Sequence, residues 1–283
     1  MIPARDLSLL SNRLARAGGR RIPESVLERD YCLAWFLVAL GRTPLREQLA
    51  FKGGTAIKRC YIGDYRFSED LDFTLLSAVS FETIRGELDA VFAEARRATG
   101  MVFTFIQVDR QPHVNSYTFY LGYDGPLPAP VGGKRVKVDV TIREQLVFPI
   151  RDTPVLRGYD EYADLPEDAH IRAYALDEIA VEKVVALMDR ARNEPRDLYD
   201  IWYLTEEGHV ALAELVFAVE HKLEFRSRTL ADVQGEFRNK EARFKKLWGP
   251  RLSAQMTELP AFERVYREVT RAMRQARLIA ASR

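Results

Sequence analysis

The sequence predicts an α+β fold in which a mixed sheet with flanking helices, residues 1–150, precedes a C-terminal α-helical domain, residues 151–283. Three observations predict it. Apolar strand-like runs, LDFTLL, MVFTFIQVD, NSYTFYLGY and KRVKVDVTI, crowd the first half. They are punctuated by a glycine turn and by the Gly/Pro-rich loop DGPLPAPVGG. Beyond Pro149 and a loop to about Asp177 nearly everything reads helical, so the seam falls near 150–175.

Taken in order, Leu27–Leu40 reads as a helix with Ser25 as a capping candidate. AFKGGT reads as a short strand entering a glycine turn, and Ala56–Tyr61 as one or two helical turns. LDFTLL is apolar enough for a strand buried on both faces. Ser80 caps a helix to Thr99, whose apolar stripe is Ile84, Leu88, Val91 and Phe92. Helices are expected over Glu178–Arg192, Arg196–Glu206, Val210–Lys222, Leu230–Leu247 and Phe262–Ala281. No internal repeat is present.

Composition narrows the function. With 47% hydrophobic and 29% charged residues among 283, the chain has the make-up of an ordinary soluble protein with a sizeable core. Its longest apolar run, CLAWFLVAL, falls well short of the roughly 20 residues a bilayer requires. MIPARDLSLL lacks the layout of a signal peptide, which together with the short runs argues for the cytoplasm and against a membrane partner. Two cysteines, Cys32 and Cys60, make neither a disulfide framework nor a zinc site and read as buried hydrophobes. The histidines His113, His170, His209 and His221 are scattered, which excludes zinc-helix spacing and weakens any histidine triad. Net charge is +1 but uneven: residues 221–283 carry 15 Lys+Arg against 7 Asp+Glu. A basic tail beside an acidic body suits a metal site with a polyanion-binding surface, although solvated helix faces give the same pattern.

The chemistry concentrates in FKGGTAIKRCYIGDYRFSEDLDFTLL. On a strand Asp70 and Asp72 point to one face, about 6.6 Å apart. Carboxylates so placed can hold divalent cations, and a nucleoside triphosphate completes a Mg²⁺ shell with its phosphates. Phosphoryl-group chemistry then asks the protein mainly for positioning and charge neutralisation. Gly53 and Gly54 remove side chains where backbone N–H groups approach phosphate. Thr55 and Ser68 offer hydroxyls, and Lys52, Lys58 or Arg66 offer positive charge. Neither a P-loop nor a kinase-type glycine loop is present. Each half of this pattern is common by chance, but two carboxylates on an apolar strand are too costly to bury unpaired. Asp139 in KRVKVDVTI shares a strand face with Lys137 and Thr141, and is either a third metal ligand or a salt-bridged surface acid. Lys183 lies four residues from both Ile179 and Leu187 inside an apolar helical stripe, so it either snorkels or faces a pocket. Asp197, two residues after Pro195, either complements a helix N-terminus or takes part in the site, with Asp200 on roughly the same face.

KGGTA with its following lysine, RFSEDLDF, LDEIAVEKVVAL and RDLYDIWYL together resemble the AbiEii/AbiGii toxin family, which includes the MenT-type toxins. The resemblance runs from about Phe51 to Leu204. It implies a nucleotidyltransferase-like domain of the DNA polymerase β-like superfamily, Mg²⁺, a nucleoside triphosphate substrate and a cognate antitoxin. It further implies, for some members, nucleotide transfer to the 3′ end of tRNA, which blocks translation. The family's S-x-D-x-D block falls on Ser68, Asp70 and Asp72, its helical-motif lysine on Lys183, and the aspartate of its RDLYD block on Asp197. Ser68 is by the same resemblance a candidate phosphorylation site. The assignment expected is therefore metal at Asp70, Asp72 and Asp139, and nucleotide at Gly53, Gly54, Thr55, Arg66, Ser68 and Lys183, with Asp197 at the acceptor. A nucleotidyltransferase modifying protein hydroxyls and a catalytically idle nucleotide- or RNA-binding module are the alternatives. An idle module has no physical need for the paired carboxylates.

Overall fold

The computed structural model describes residues 1–16, 19–110, 114–129 and 133–280. His113, part of the Gly/Pro-rich loop and Ala281 lie outside the described residues. The chain forms two compact units, one of Met1–Glu144 with Ile150–Tyr174, the other of Gln145–Pro149 with Ala175–Arg283.

The first unit opens with helices α1 (Ala4–Arg16) and α2 (Glu24–Gly41). Strand β1 (Leu49–Lys52) runs straight into the short helix α3 (Gly53–Ala56) and a π turn over Ile57–Tyr61. Then come β2 (Leu71–Leu75), α4 (Phe81–Thr99), β3 (Val102–Val108), β4 (Ser116–Asp124), β5 (Arg135–Thr141), β6 (Arg151–Pro154) and β7 (His170–Ala173). The seven strands form one mixed sheet in the order β3-β4-β5-β2-β1-β7-β6. β2 and β5 are parallel, as are β1 and β7; the remaining neighbours are antiparallel.

The apolar run noted in the sequence is the centre of α2, where every residue from Tyr31 to Leu40 is buried. A helix apolar all round has to be enclosed, and α2 packs on α1, α4 and β7. Ser25 does not cap it, because the helix begins one residue earlier, at Glu24, behind Pro23. Ser80 does cap α4, its hydroxyl accepting from the Thr83 N–H at 3.2 Å. The π turn contributes two buried cations. Arg59 pairs with the buried Asp30 of α2 and donates to the carbonyls of Asp30, Leu156 and Arg157. Lys58 donates to the carbonyls of Gly63 and Tyr65, both at 2.9 Å, and to the Tyr159 hydroxyl. It lies over the rings of Phe67 and Tyr159, 4.4 and 4.9 Å from their centroids. Burial pulls the Lys58 ammonium down to about 8.

The second unit is helical: α5 (Leu176–Met188), α6 (Pro195–Glu206), a 3₁₀ turn at Leu212–Glu214, α7 (Val216–Phe225), α8 (Leu230–Val233), α9 (Glu236–Asn239), α10 (Glu241–Leu252) and α11 (Phe262–Gln275). α6 packs on α5, α10 and α11. α11 buries Phe262, Val265, Val269 and Met273, an apolar stripe at helical spacing.

Several boundaries differ from the sequence expectation. The stretch after Pro149 is not all loop, since β6 and β7 add two strands beside β1 and belong with the sheet. Residues 145–149 instead join the helical unit. Glu178, fully buried, accepts from the Val147 and Phe148 N–H groups at 3.0 and 2.9 Å and pairs with buried Lys222 at 2.6 Å. The division at 150/151 is thus replaced by a crossing at 174/175 and a five-residue excursion. The helix expected over Leu230–Leu247 is three pieces. A capping box of Thr229 and Asp232 starts α8, and Lys240 separates α9 from α10 with its ammonium on the Ala186 and Arg192 carbonyls. The last helix ends at Gln275, just before Arg277 takes the left-handed conformation.

The Arg59–Asp30 pair generates a stability prediction. Asp30→Ala leaves a buried guanidinium without its carboxylate and lowers the unfolding free energy by about 3–5 kcal/mol, read from urea titrations of the two proteins.

Candidate active site

The glycine pair sits where β1 turns into α3. Lys52 is extended, and Gly53 then takes φ +78°, a conformation that side chains disfavour. The surroundings also forbid a side chain there: a Cβ on Gly53 would meet Asp72 Oδ2 at 2.5 Å. A Cβ on Gly54 would meet Arg66 Nη2 at 2.8 Å and Ser68 Oγ at 3.4 Å. Gly53, Gly54, Arg66, Ser68 and Asp72 are therefore one cluster, although up to nineteen positions separate them in the chain.

Register explains why the acids meet the glycines. Lys52 on β1 pairs with Asp72 on β2, Asp72 pairs with Asp139 on β5, and Asp139 pairs with Thr118 on β4. Directly paired residues share a sheet face, so these four form a polar row across four strands. Val136, Val138 and Val140 of β5 take the opposite, buried face. Asp70 immediately precedes β2 rather than lying on it. Its backbone carbonyl accepts from the Thr55 hydroxyl at 2.6 Å. Thr55 thus braces the acidic loop with the hydroxyl that its sequence position had suggested for phosphate. Arg66 is buried and donates to the Phe67 carbonyl.

Asp139 is engaged on both oxygens, by Thr118 Oγ1 at 2.5 Å and Lys137 Nζ at 2.6 Å. Burial alone would pull the Lys137 ammonium down, but the hydrogen bond and charge of Asp139, with the charges of Asp70 and Asp72, move it up. Arg29 likewise is pulled down by burial and raised, on balance, by Tyr123 and by the charges of Glu69 and Asp70; it pairs with Glu69 at 3.2 Å. Among the described residues no three His, Cys, Asp or Glu side chains gather as a metal set. The expected three-acid set is therefore not assembled, because Asp139 is spent on Lys137 and Thr118. Asp72, against the glycine turn, and Asp70, two residues before it, have the chemistry to hold Mg²⁺, which takes one or two carboxylates and would complete its shell from water and substrate phosphate.

Lys183, Asp197 and Asp200 belong to the helical unit and form a buried network. Lys183 Nζ is 2.6 Å from Asp197 Oδ1 and 2.8 Å from Asp200 Oδ2, and Arg192 Nε is 2.6 Å from Asp197 Oδ2. Lys183 therefore neither snorkels nor stands alone. Burial would raise the Asp197 carboxyl, but Lys183 and Arg192 prevail and hold it below the ordinary aspartate value. Cys32 and Cys60 are buried free thiols whose ionisation burial pushes up, Cys60 to about 12, in keeping with small buried hydrophobes.

Tyr174 escaped the sequence reading. Its N–H donates to the Phe51 carbonyl, its carbonyl accepts from Tyr61, its hydroxyl shares a 2.6 Å bond with Thr74, and Lys52 lies over its ring. No local pattern marks such a hub; only the β1/β7 pairing creates it. No helix among the described residues is long and apolar enough to cross a membrane.

A family model described as the nucleotidyl transferase AbiEii toxin of a type IV toxin–antitoxin system matches residues 35–268. Among solved structures the chain is similar to MenT4, a nucleotidyltransferase toxin from Mycobacterium tuberculosis H37Rv. The TM-score is 0.55, covering 97% of this chain and 99% of that one at 19% identity, a likeness of fold. No curated protein matches the chain in sequence.

Two outcomes are expected of this geometry. Gly53→Ala combines a left-handed backbone with a clash on Asp72 and destabilises by about 1–3 kcal/mol, measured by chemical denaturation. Asp197 titrates below its unfolded value, so its contribution is complete above about pH 4 and is lost as pH falls through the folded value. The stability gap between the wild type and Asp197→Asn should accordingly narrow from pH 5 towards pH 2.

Proposed function

As the chain belongs to the AbiEii family of nucleotidyltransferase toxins of type IV toxin–antitoxin systems, we propose that it transfers a nucleoside monophosphate from an NTP to RNA, at the 3′ end of tRNA, and so blocks translation. The observation that carries the reading is the clustering of Gly53 and Gly54 with Asp72, Arg66 and Ser68. That cluster joins a turn without side chains, an acid, a cation and a hydroxyl, which is what a triphosphate with its metal requires.

In this reading Asp70 and Asp72 hold Mg²⁺, which supplies charge neutralisation on the phosphates when bound. The glycine turn leaves the triphosphate room against the backbone. Arg66 and Ser68 hold phosphate oxygens from beside Gly54. Thr55 fixes Asp70 through its carbonyl. In the helical unit Lys183, the lysine of the family's helical motif, is kept in a single orientation by Asp197 and Asp200. Asp197 then orients Lys183 and does not take the acceptor's proton, because a carboxylate held ionised by two cations is a weak base. The basic C-terminal region, including Arg264, Arg267, Arg271 and Arg274 on α11, binds RNA phosphates, which makes affinity fall with salt. Triphosphates and tRNA place this chemistry in the cytoplasm, and a cognate antitoxin restrains it.

Incubation with each labelled NTP, Mg²⁺ and total tRNA tests the proposal. Label is expected in tRNA with at least one NTP, and Asp70→Asn or Asp72→Asn should reduce the rate by about 100-fold or more. Label in a protein band, or in nothing with any NTP, rejects the RNA acceptor. Growth inhibition that survives both substitutions rejects catalysis as the basis of toxicity.

A further inference from the structure

Lys58 takes no part in the function just proposed, yet it stands one helical turn after Gly54, on the π turn that continues α3. Its ammonium reaches forward to residues 62–70, the link between that turn and β2. This link is neither helix nor strand, so no backbone ladder sets its path. Lys58 holds it at alternate residues. The ammonium donates to the carbonyls of Gly63 and Tyr65, both at 2.9 Å, and lies 4.4 Å from the centroid of the Phe67 ring. Its remaining proton goes to the Tyr159 hydroxyl at 3.1 Å. The residues interleaved with these contacts are Arg66 and Ser68, whose Nη2 and Oγ are what a Cβ on Gly54 would meet, at 2.8 and 3.4 Å. The contacts close a ring: backbone from Gly54 to Lys58, ammonium to the Tyr65 carbonyl, peptide bond to Arg66, and guanidinium back to Gly54.

We infer that Lys58 is a positioning residue for the nucleotide: it fixes residues 63–67 before substrate arrives, and so sets Arg66 and Ser68 beside the glycine turn where phosphate oxygens meet them. The inference rests on the reading of Gly53, Gly54, Arg66 and Ser68 as the phosphate site. All three ammonium protons are engaged within the protein, so Lys58 acts through its neighbours and not on phosphate itself. An apolar side chain of the same length fills the space but leaves both carbonyls without this donor. The link would then be ordered only when nucleotide binds, at a cost in affinity. Arg66 and Ser68 hold phosphate in the ground state and the transition state alike, so the cost falls on KM and spares kcat.

Fluorescent non-hydrolysable analogues of the four NTPs, titrated with Mg²⁺ into the full chain, test this. Lys58→Met should weaken binding by about tenfold, and Lys58→Gln, which keeps an amide donor on a shorter stem, by less. The loss must run through Arg66: adding Lys58→Met to Arg66→Gln should weaken binding by no more than about threefold further. In turnover with labelled NTP, Lys58→Met should raise KM by about tenfold and leave kcat within about twofold. Hydrogen exchange supplies a readout on the wild type, where residues 62–69 should be as protected without nucleotide as with it; in Lys58→Met they should exchange faster while α4 is unchanged. Unaltered affinity in both variants overturns the inference, as do a loss fully additive with Arg66→Gln and a fall in kcat at constant KM. Should Lys58→Met fail to fold, Lys58→Gln and the wild-type exchange decide, and residues 62–69 that exchange freely in the nucleotide-free wild type overturn the inference while the phosphate site stands. A wild type that binds none of the four analogues overturns the phosphate site and the inference together.

Discussion

The Asp72 carboxylate occupies the space where residue 53 would carry a side chain. That single steric relation ties the two sequence blocks of the site into one object. It requires glycine at 53, where the backbone takes a left-handed turn between β1 and α3. It also requires β2 to lie beside β1 in the register that sets Lys52 against Asp72. Shifting β2 by one residue would send Asp72 to the apolar face with Leu71 and Phe73, where an unpaired carboxylate is prohibitively costly. Hydrophobic patterning and the chemistry of the site therefore select the same register.

Around this core both units use buried cations to fix irregular backbone. Lys58 gathers the carbonyls of Gly63 and Tyr65, the loop that leads to Ser68. Arg59 does the same for residues 156 and 157 while neutralised by Asp30. In the helical unit Lys240 holds the carbonyls at the end of α5 and beyond it. An ammonium or guanidinium satisfies several carbonyls from one point, which no apolar side chain can do. Two cations adjacent in sequence, Lys58 and Arg59, thus fix the backbone around residues 63–65 and 156–157.

Much of the site was legible because its residues are close in sequence and chemically extravagant. Gly53, Gly54, Ser68, Asp70 and Asp72 fall within twenty residues, and paired acids in an apolar run demand explanation. The Ser80 cap and the stripe of α4 were legible from spacing alone. What stayed hidden depends on long-range pairing. β6 and β7 are four residues each, too short for a period, and β6 ends in proline. Tyr174 becomes a hub only once β7 lies beside β1. Thr55 and Asp139 were visible as polar groups, but which partner each takes is decided by neighbours 15 and 21 positions away. Composition around Lys183 announced an anomalous lysine and left its two aspartates to be found by helix packing.

The excursion at residues 145–149 has a topological consequence. The polypeptide passes between its units at 144/145, 149/150 and 174/175, so neither is a contiguous cassette. Cutting the gene after codon 150 would strip β1 of β7 and bare a hydrogen-bonding edge beside the glycine turn. During synthesis the sheet stays incomplete until about residue 173 has left the ribosome, by which time the segment pinned by Glu178 still awaits its helix. A cut at any single position between residues 144 and 175 therefore leaves one unit without a segment that belongs to it.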